Sequence, residues 1–170
     1  MSSFQTISAA QLNKNPFTLI GNDWMLITAQ KDGKTNTMTA SWGGLGIMWG
    51  KQAAYIVIRD SRYTKEFVDA ADTLSLSFFT EQFRPVLKYL GTVSGRSEDK
   101  VTNSKLTVQH HNHTPYFEEA DTVFLCKKMF AQKLSKDNFL LPDIETTWYK
   151  DSDYHVLYIL EVTDILTKQN

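Results

Sequence analysis

Two short stretches hold residue types that can bind and orient a ligand. The first is Asn36-Thr37-Met38-Thr39-Ala40-Ser41-Trp42, a run of small and hydroxyl side chains between the turn signal Asp32-Gly33 and the glycine-laced Gly43-Gly44-Leu45-Gly46. On an extended backbone such a run leaves amide N–H and C=O groups open to a flat ligand, and Trp42 adds an aromatic surface. An ordinary sheet edge with Thr and Ser outward has the same composition. The second stretch is Arg59-Asp60-Ser61-Arg62-Tyr63-Thr64-Lys65, which links a strand to a helix. A helix N-terminus offers unpaired N–H groups and the positive end of its dipole. Arg59, Arg62 and Lys65 add charge there, and Ser61 and Thr64 add hydroxyls, so the segment suits one terminal phosphate. Its alternative is a capped surface helix with solvated arginines. Neither a Walker glycine loop nor a G-x-G-x-x-G run accompanies it, which speaks against a dinucleotide-binding Rossmann unit.

Other chemistries have little to stand on. No G-x-S-x-G occurs, the single Cys126 lies in an apolar stretch, and the acids are scattered or in exposed pairs such as Glu118-Glu119, so hydrolysis is not expected and no side chain is assigned a catalytic role. His110, His111 and His113 are loop neighbours that point different ways, with no carboxylate at a usual ligand spacing, and no metal site is expected. His155 opens the last strand and stays a minor candidate beside a hydrogen-bonded structural role. With 18 Lys+Arg against 19 Asp+Glu the formal net charge is -1, which provides no overall field for nucleic acid or an anionic membrane. The aromatics are not interleaved with a basic run, no stretch approaches a membrane span, and the N-terminus lacks a leader pattern. A soluble cytoplasmic protein is expected, its lone cysteine suited to a reducing compartment.

The elements that must position these residues follow from hydrophobic period and turn chemistry. The 170 residues, 42% of them hydrophobic, have room for one domain over residues 1–170. Ser8 to Asn15 reads as a short helix stopped by Pro16, with an apolar run restarting at Phe17. Trp24 to Ala29 and Thr35 to Trp42 form a hairpin about Asp32-Gly33, and Gly43 to Gly50 is a strand that bends or bulges. Ala53 to Ile58 is a buried strand, followed by a helix through Lys65 to Ala71 capped by Thr64 or Ser61. Thr73 to Phe79 alternates, Leu74, Leu76 and Phe78 against Ser75 and Ser77, and reads as half-exposed or ligand-facing. Arg84 to Leu90 is a helix ending at Gly91, and Val101 to Thr107 is helical for a turn or two. The histidine stretch through Thr114-Pro115 is a loop. Val123 to Cys126 and Tyr154 to Leu166 are strands, with an irregular excursion from Leu140 to Asp153 between them. Strands outnumber helices, which favours a curled, mainly antiparallel sheet or barrel with a few helices over a doubly wound fold.

Taken together, Asn36-x-Met38-Thr39-Ala40-Ser41-Trp42, Arg59-x-Ser61-Arg62-Tyr63-Thr64, Ser77-Phe78-Phe79, Gly91-Thr92-Val93-Ser94-Gly95-Arg96-x-x-Asp99-Lys100 and Thr114-Pro115-Tyr116-Phe117-Glu118-Glu119-Ala120 resemble the flavin reductase-like family, in its flavoredoxin-like branch. The resemblance runs from about Pro16 to about Val162. It implies a Greek-key antiparallel split β-barrel with a few short helices, a homodimer with FMN near the interface, and no obligatory side-chain acid or base. By the same resemblance Asn36 to Trp42 line the isoalloxazine and ribityl chain, and Arg59, Ser61, Arg62, Thr64 and Lys65 hold the phosphate. The Ser94 to Lys100 loop closes over the flavin, with Lys100 as its charged contact; a solvated loop fixed by its glycines is the alternative. The implied activity is transfer of hydride or electrons between NAD(P)H, FMN and an acceptor, either free flavin, a redox protein or a small molecule. An FMN-binding electron carrier without NAD(P)H turnover is the second reading, and a barrel binding another phosphorylated or aromatic ligand the third. Trp148 and Tyr149 are expected to shape whatever stacks on the exposed flavin face.

Overall fold

The Asp32-Gly33 signal is a true two-residue hairpin turn. Asp32 and Gly33 have φ of 50° and 74°, the left-handed pair that matches strand twist, and they join β2 (Met25–Lys31) to β3 (Lys34–Ala40) in unbroken register from Lys31↔Lys34 to Met25↔Ala40. The computed structural model describes residues 4–169. Around this hairpin are β1 (Phe4–Ile7), α1 (Pro16–Gly21), β4 (Gly43–Met48), β5 (Lys51–Arg59), α2 (Tyr63–Ala70), β6 (Thr73–Phe78), α3 (Arg84–Thr92), α4 (Lys100–Asn103), β7 (Val108–His111), β8 (Thr114–Phe117), β9 (Thr122–Lys133), α5 (Pro142–Trp148) and β10 (His155–Lys168). Eight strands form one antiparallel sheet in the order β3-β2-β6-β9-β10-β5-β4, with β1 beside the far half of β10; β7 and β8 form a separate hairpin. β3 and β4 stand at opposite ends of that order, yet only Ser41 and Trp42 separate them in sequence, so the sheet must curl until its ends meet beside those two residues.

Period-2 alternation buries both faces of the sheet. Ile27, Leu76, Phe124 and Tyr158 face a core closed by Leu19 and Ile20 of α1 and Phe67 and Val68 of α2. Leu26, Val123, Leu125 and Leu166, one residue out of phase, face a second core closed by Leu87 and Leu90 of α3 and by Phe117. The expectation of a half-exposed or ligand-facing β6 is therefore corrected: Ser75 and Ser77 are buried, and the Ser75 hydroxyl donates to the Pro115 carbonyl at 2.6 Å.

Several local readings change for identifiable reasons. Ser8 opens only a single 3₁₀ turn, Ala9–Gln11, and Pro16 begins a helix rather than stopping one, with Asn15 Oδ1 accepting the Phe17 amide at 2.9 Å. β4 pairs with β5 in unbroken register, with no bulge; the register shifts lie between β9 and β10. α2 is capped by neither Ser61 nor Thr64, because Arg62 holds the N-cap position and Thr64 lies inside the helix. Gly91 sits within the last turn of α3, where a Cβ would stand 3.0 Å from the Thr39 side chain. The histidine loop is the β7–β8 hairpin, turning at Asn112 and His113 with φ of 48° and 66°. The excursion contains α5, with Pro142 in its first turn.

Candidate functional site

The end of β3 and the two residues after it form one side of a cleft of about 170 Å³. Met38, Thr39, Ala40, Ser41 and Trp42 face Val57 and Arg59 of β5, His155 at the start of β10, and Trp148 at the end of α5. The rings form a cluster. Trp42, 39% exposed, meets Trp148 edge-on at 4.9 Å between centroids and lies 5.2 Å from His155. The Tyr149 hydroxyl is 2.8 Å from His155 Nδ1. Burial first, and then the nearby Arg59 charge, push the imidazole down to about 4, so it is neutral at pH 7.

A second cleft, of about 260 Å³, adjoins the first and shares Met38, Arg59 and Arg62 with it. Ser61, Thr64, Ser94 and Lys100 also line it, and no carboxylate does. Lys100 is 4% exposed and donates to the carbonyls of Leu90 at 2.8 Å and Val93 at 3.0 Å, around the C-terminal end of α3. Burial, and secondarily the Arg62 guanidinium, push its ammonium down to about 8. A cleft lined by Arg59, Arg62 and Lys100 and by no carboxylate is the electrostatic complement of an anion.

The sequence-nominated residues do not all belong to these clefts. Asn36 donates from Nδ2 to Thr64 Oγ1 at 2.9 Å and so ties β3 to α2. Thr37 turns away: it is fully buried, bonded to the Ile27 carbonyl at 3.0 Å and to Thr28 Oγ1 at 2.9 Å. It is a sheet residue, because strand alternation points it opposite to Asn36 and Met38. Lys65 also drops out, since its ammonium pairs with Asp69 at 2.7 Å and Asp60 at 3.5 Å and lines neither cleft. Thr39 lines the ring cleft with its hydroxyl bonded to the Leu87 carbonyl. Arg62 gives one bond, to the Gly91 carbonyl at 3.0 Å. Arg59 is more engaged: Nη1 donates to the Asp153 carbonyl and Nη2 to the Trp148 carbonyl, both at 2.8 Å, with the Tyr149 ring 5.2 Å from the guanidinium carbon. Ser61 is held by the Asp153 carboxylate, through its amide at 3.1 Å and its hydroxyl at 2.6 Å. Asp153 and Val57 carry no sequence signal. His155 carried one only as an imidazole at a strand start.

The donor set of the second cleft, Arg62, Lys100 and the Thr64 and Ser94 hydroxyls, fits a phosphate ester. The small-residue strand end with Trp42 fits the flat ring of a flavin beside it. Over residues 18–170 the sequence matches the family described as flavin reductase like domain, and the chain belongs to that family. Its structure resembles the FMN-binding domain of a flavin reductases-like enzyme from Shewanella baltica OS155, with a TM-score of 0.71 at 15% identity over 98% of this chain and 78% of that one. It also resembles flavoredoxin from Methanosarcina acetivorans (0.68, 18% identity, 86% and 69% of the two chains) and flavoredoxin of Desulfovibrio vulgaris (0.67, 18%, 96% and 76%). These likenesses identify the curled sheet as the antiparallel barrel of flavin reductase-like proteins. No curated protein matches the chain by sequence. No described helix is long and apolar enough to cross a membrane.

Proposed function

We propose that the chain is an FMN-binding flavoprotein that transfers hydride or electrons between NAD(P)H and an acceptor. The observation that carries this reading is the pair of adjoining clefts in a flavin reductase-like fold, one lined by small residues and Trp42, the other cationic and free of carboxylates. Bound FMN supplies the redox chemistry at its ring. The protein's own residues then have three tasks. Arg62, Lys100, Thr64 and Ser94 anchor the phosphate; the β3 end from Met38 to Ser41 orients the ring; Trp42, Trp148 and Val57 exclude water. His155, neutral at pH 7, adds no charge to the ring cleft.

The second reading, an electron carrier without NAD(P)H turnover, is favoured by one observation: Trp148 lines the ring cleft edge-on against Trp42, which narrows the room left there for a nicotinamide. Two measurements test the pair. Protein mixed with FMN and passed through gel filtration is expected to keep the flavin absorbance bands; loss of the bands would remove the carrier and leave either flavin as a dissociable substrate or a barrel turned to another ligand. Steady-state oxidation of NADH or NADPH with excess flavin is expected above the non-enzymatic rate; retained FMN without turnover selects the carrier. We further propose one domain and a homodimer, which would cover the exposed Ile47, Trp49 and Phe17 around β4 and α1. Light scattering at micromolar concentration should return twice the chain mass.

A further inference from the structure

His155 lines the ring cleft with an imidazole that the proposed function uses only as an uncharged wall. Its backbone is pinned on two sides: it stands opposite Arg59 where β10 pairs with β5, and its carbonyl accepts the Leu134 amide at 2.9 Å. Its side chain is pinned as well. Tyr149, which follows α5 and does not itself line the cleft, brings its hydroxyl to 2.8 Å from Nδ1 and its ring edge-on to 5.5 Å between centroids. The Tyr149 ring is held in turn by stacking on Tyr154 at 5.0 Å and by Phe139 at 5.3 Å. Both partners are almost enclosed, His155 at 7% and Tyr149 at 5% exposure.

That hydrogen bond selects one tautomer. A neutral imidazole carries a single N–H. Were Nδ1 to hold it, the phenol oxygen would accept, and its own buried proton would be left without an acceptor, because His155 is the only hydrogen-bond partner of this hydroxyl among the described residues. With the Tyr149 O–H donating to Nδ1, both groups are satisfied and the ring proton sits on Nε2. Nε2 has no hydrogen-bond partner among the described residues. The two nitrogens of an imidazole face in nearly opposite directions, so with Nδ1 turned to Tyr149 outside the cleft, Nε2 belongs to the edge that lines it.

The geometry points to His155 as a ligand-binding residue that gives its Nε2–H to a carbonyl oxygen of the flavin ring, with Tyr149 as the positioning residue that holds the tautomer. The inference rests on the flavin reading of the ring cleft and deepens it. Other donors of the cleft are already engaged: the Thr39 hydroxyl is taken by the Leu87 carbonyl, and Arg59 by the carbonyls of Trp148 and Asp153. The pyrimidine end of an isoalloxazine presents two carbonyl oxygens, and a buried donor or acceptor left unmet costs more than a made bond gains. A neutral N–H meets such an oxygen without the desolvation that a cation would suffer when the ring covers it.

The test is NMR of protein labelled with nitrogen-15 in its 4 histidines, with FMN affinity measured in parallel by quenching of tryptophan fluorescence. In the flavin-free protein His155 should show an unprotonated Nδ1 and a protonated Nε2, and added FMN should shift the Nε2–H resonance. Tyr149→Phe should give a mixture of both tautomers. Tyr154→Phe, which removes a hydroxyl bonded to Glu145 of α5, should leave the Nε2–H form intact. His155→Leu should weaken FMN at least about fivefold, the effect of one lost hydrogen bond, while His155→Gln, whose amide places a donor near the position of Nε2, should stay within about twofold of wild type. A protonated Nδ1 in wild type, or FMN affinity unchanged in His155→Leu, overturns the proposal and leaves the flavin reading standing. If wild type binds no FMN, the flavin reading itself fails and the donor role falls with it, whichever tautomer is seen.

Discussion

Arg59 and Arg62 are three positions apart and equal in charge, yet their surroundings give them different work. Arg62 faces the carboxylate-free cleft with a single hydrogen bond, so Arg62→Ala should weaken FMN by about 1.5–3 kcal/mol, the range for a lost charge-assisted bond. Equilibrium dialysis against FMN measures it. Arg59 is held by two carbonyls from the far side of α5, and its removal should act on that segment first. Under the proposed function, Lys100 makes phosphate binding in the second cleft pH-dependent. Its amine, at about 8 in the free protein, must be charged to attract an anion, and a bound phosphate raises it. FMN affinity should therefore be level from about pH 7, where the ester phosphate is a dianion, to about pH 8, and fall as the pH rises through 8 toward the bound-state value. Riboflavin, which lacks the phosphate, should show no such slope, nor should Lys100→Gln with FMN. The cations were legible in the sequence as a group but not as individuals. Lys65 did carry a signal, since Asp69 four residues on lies on the same helix face, and Lys65, so paired, lines neither cleft.

The α5 segment shows how little a short helix contributes by itself. Of α5 and the residues after it up to Asp153, only Tyr149 is buried, and Leu140, Leu141, Ile144 and Trp148 are exposed. Polar ties hold it instead: Arg59 to the carbonyls of Trp148 and Asp153, the Asp153 carboxylate to Ser61, and the Tyr154 hydroxyl to Glu145 at 2.8 Å. Arg59→Ala or Asp153→Ala should raise amide hydrogen exchange across residues 139–153 while protection in β9 and β10 stays unchanged, because the ties cross no core. Sequence patterning could not find this element, whose apolar residues face outward and whose partners lie about 90 positions away. Where the chemistry was local it was legible. Asp32-Gly33 fixed a hairpin, whereas Asn112-His113 makes the same turn without a glycine to announce it.

Two cores on the faces of one sheet leave few places for charge, and carboxylates at their rim are networked. Asp69 accepts the Lys65 ammonium and the hydroxyl of fully buried Tyr158, and Asp60 pairs with Lys133. Burial pushes Asp69 up, but those hydrogen bonds and the Lys65 charge more than reverse it; the Lys133 hydrogen bond chiefly holds Asp60 down. Carboxyls depressed on folding contribute stability that is present above the unfolded value near 4 and is lost as pH falls through the folded values. His155 adds to the slope: between its folded value of about 4 and the ordinary value of about 6.5, the unfolded chain binds the extra proton. Urea midpoints should thus decline below pH 6.5 and drop more steeply below 4. Tyr158→Phe should cost about 1.5–3 kcal/mol at pH 7, the price of a hydrogen bond to a charged acceptor. The alternation that built the two cores was readable in β6, but not what covers its serine face. That cover, β7 and β8, arrives some 40 residues later and brings no periodic signal of its own.

The two ends of the sheet meet where Ser41 and Trp42 join β3 to β4, and the ring cleft opens beside that seam. The barrel is therefore closed by covalent chain at one point and by side-chain packing elsewhere along the split. A ligand gripped by β3 on one side and by β5 and α2 on the other acts as a clasp across it. Its hold belongs to the folded state alone, so at a concentration a hundredfold above its dissociation constant it adds about 2.7 kcal/mol to the free energy of opening the barrel.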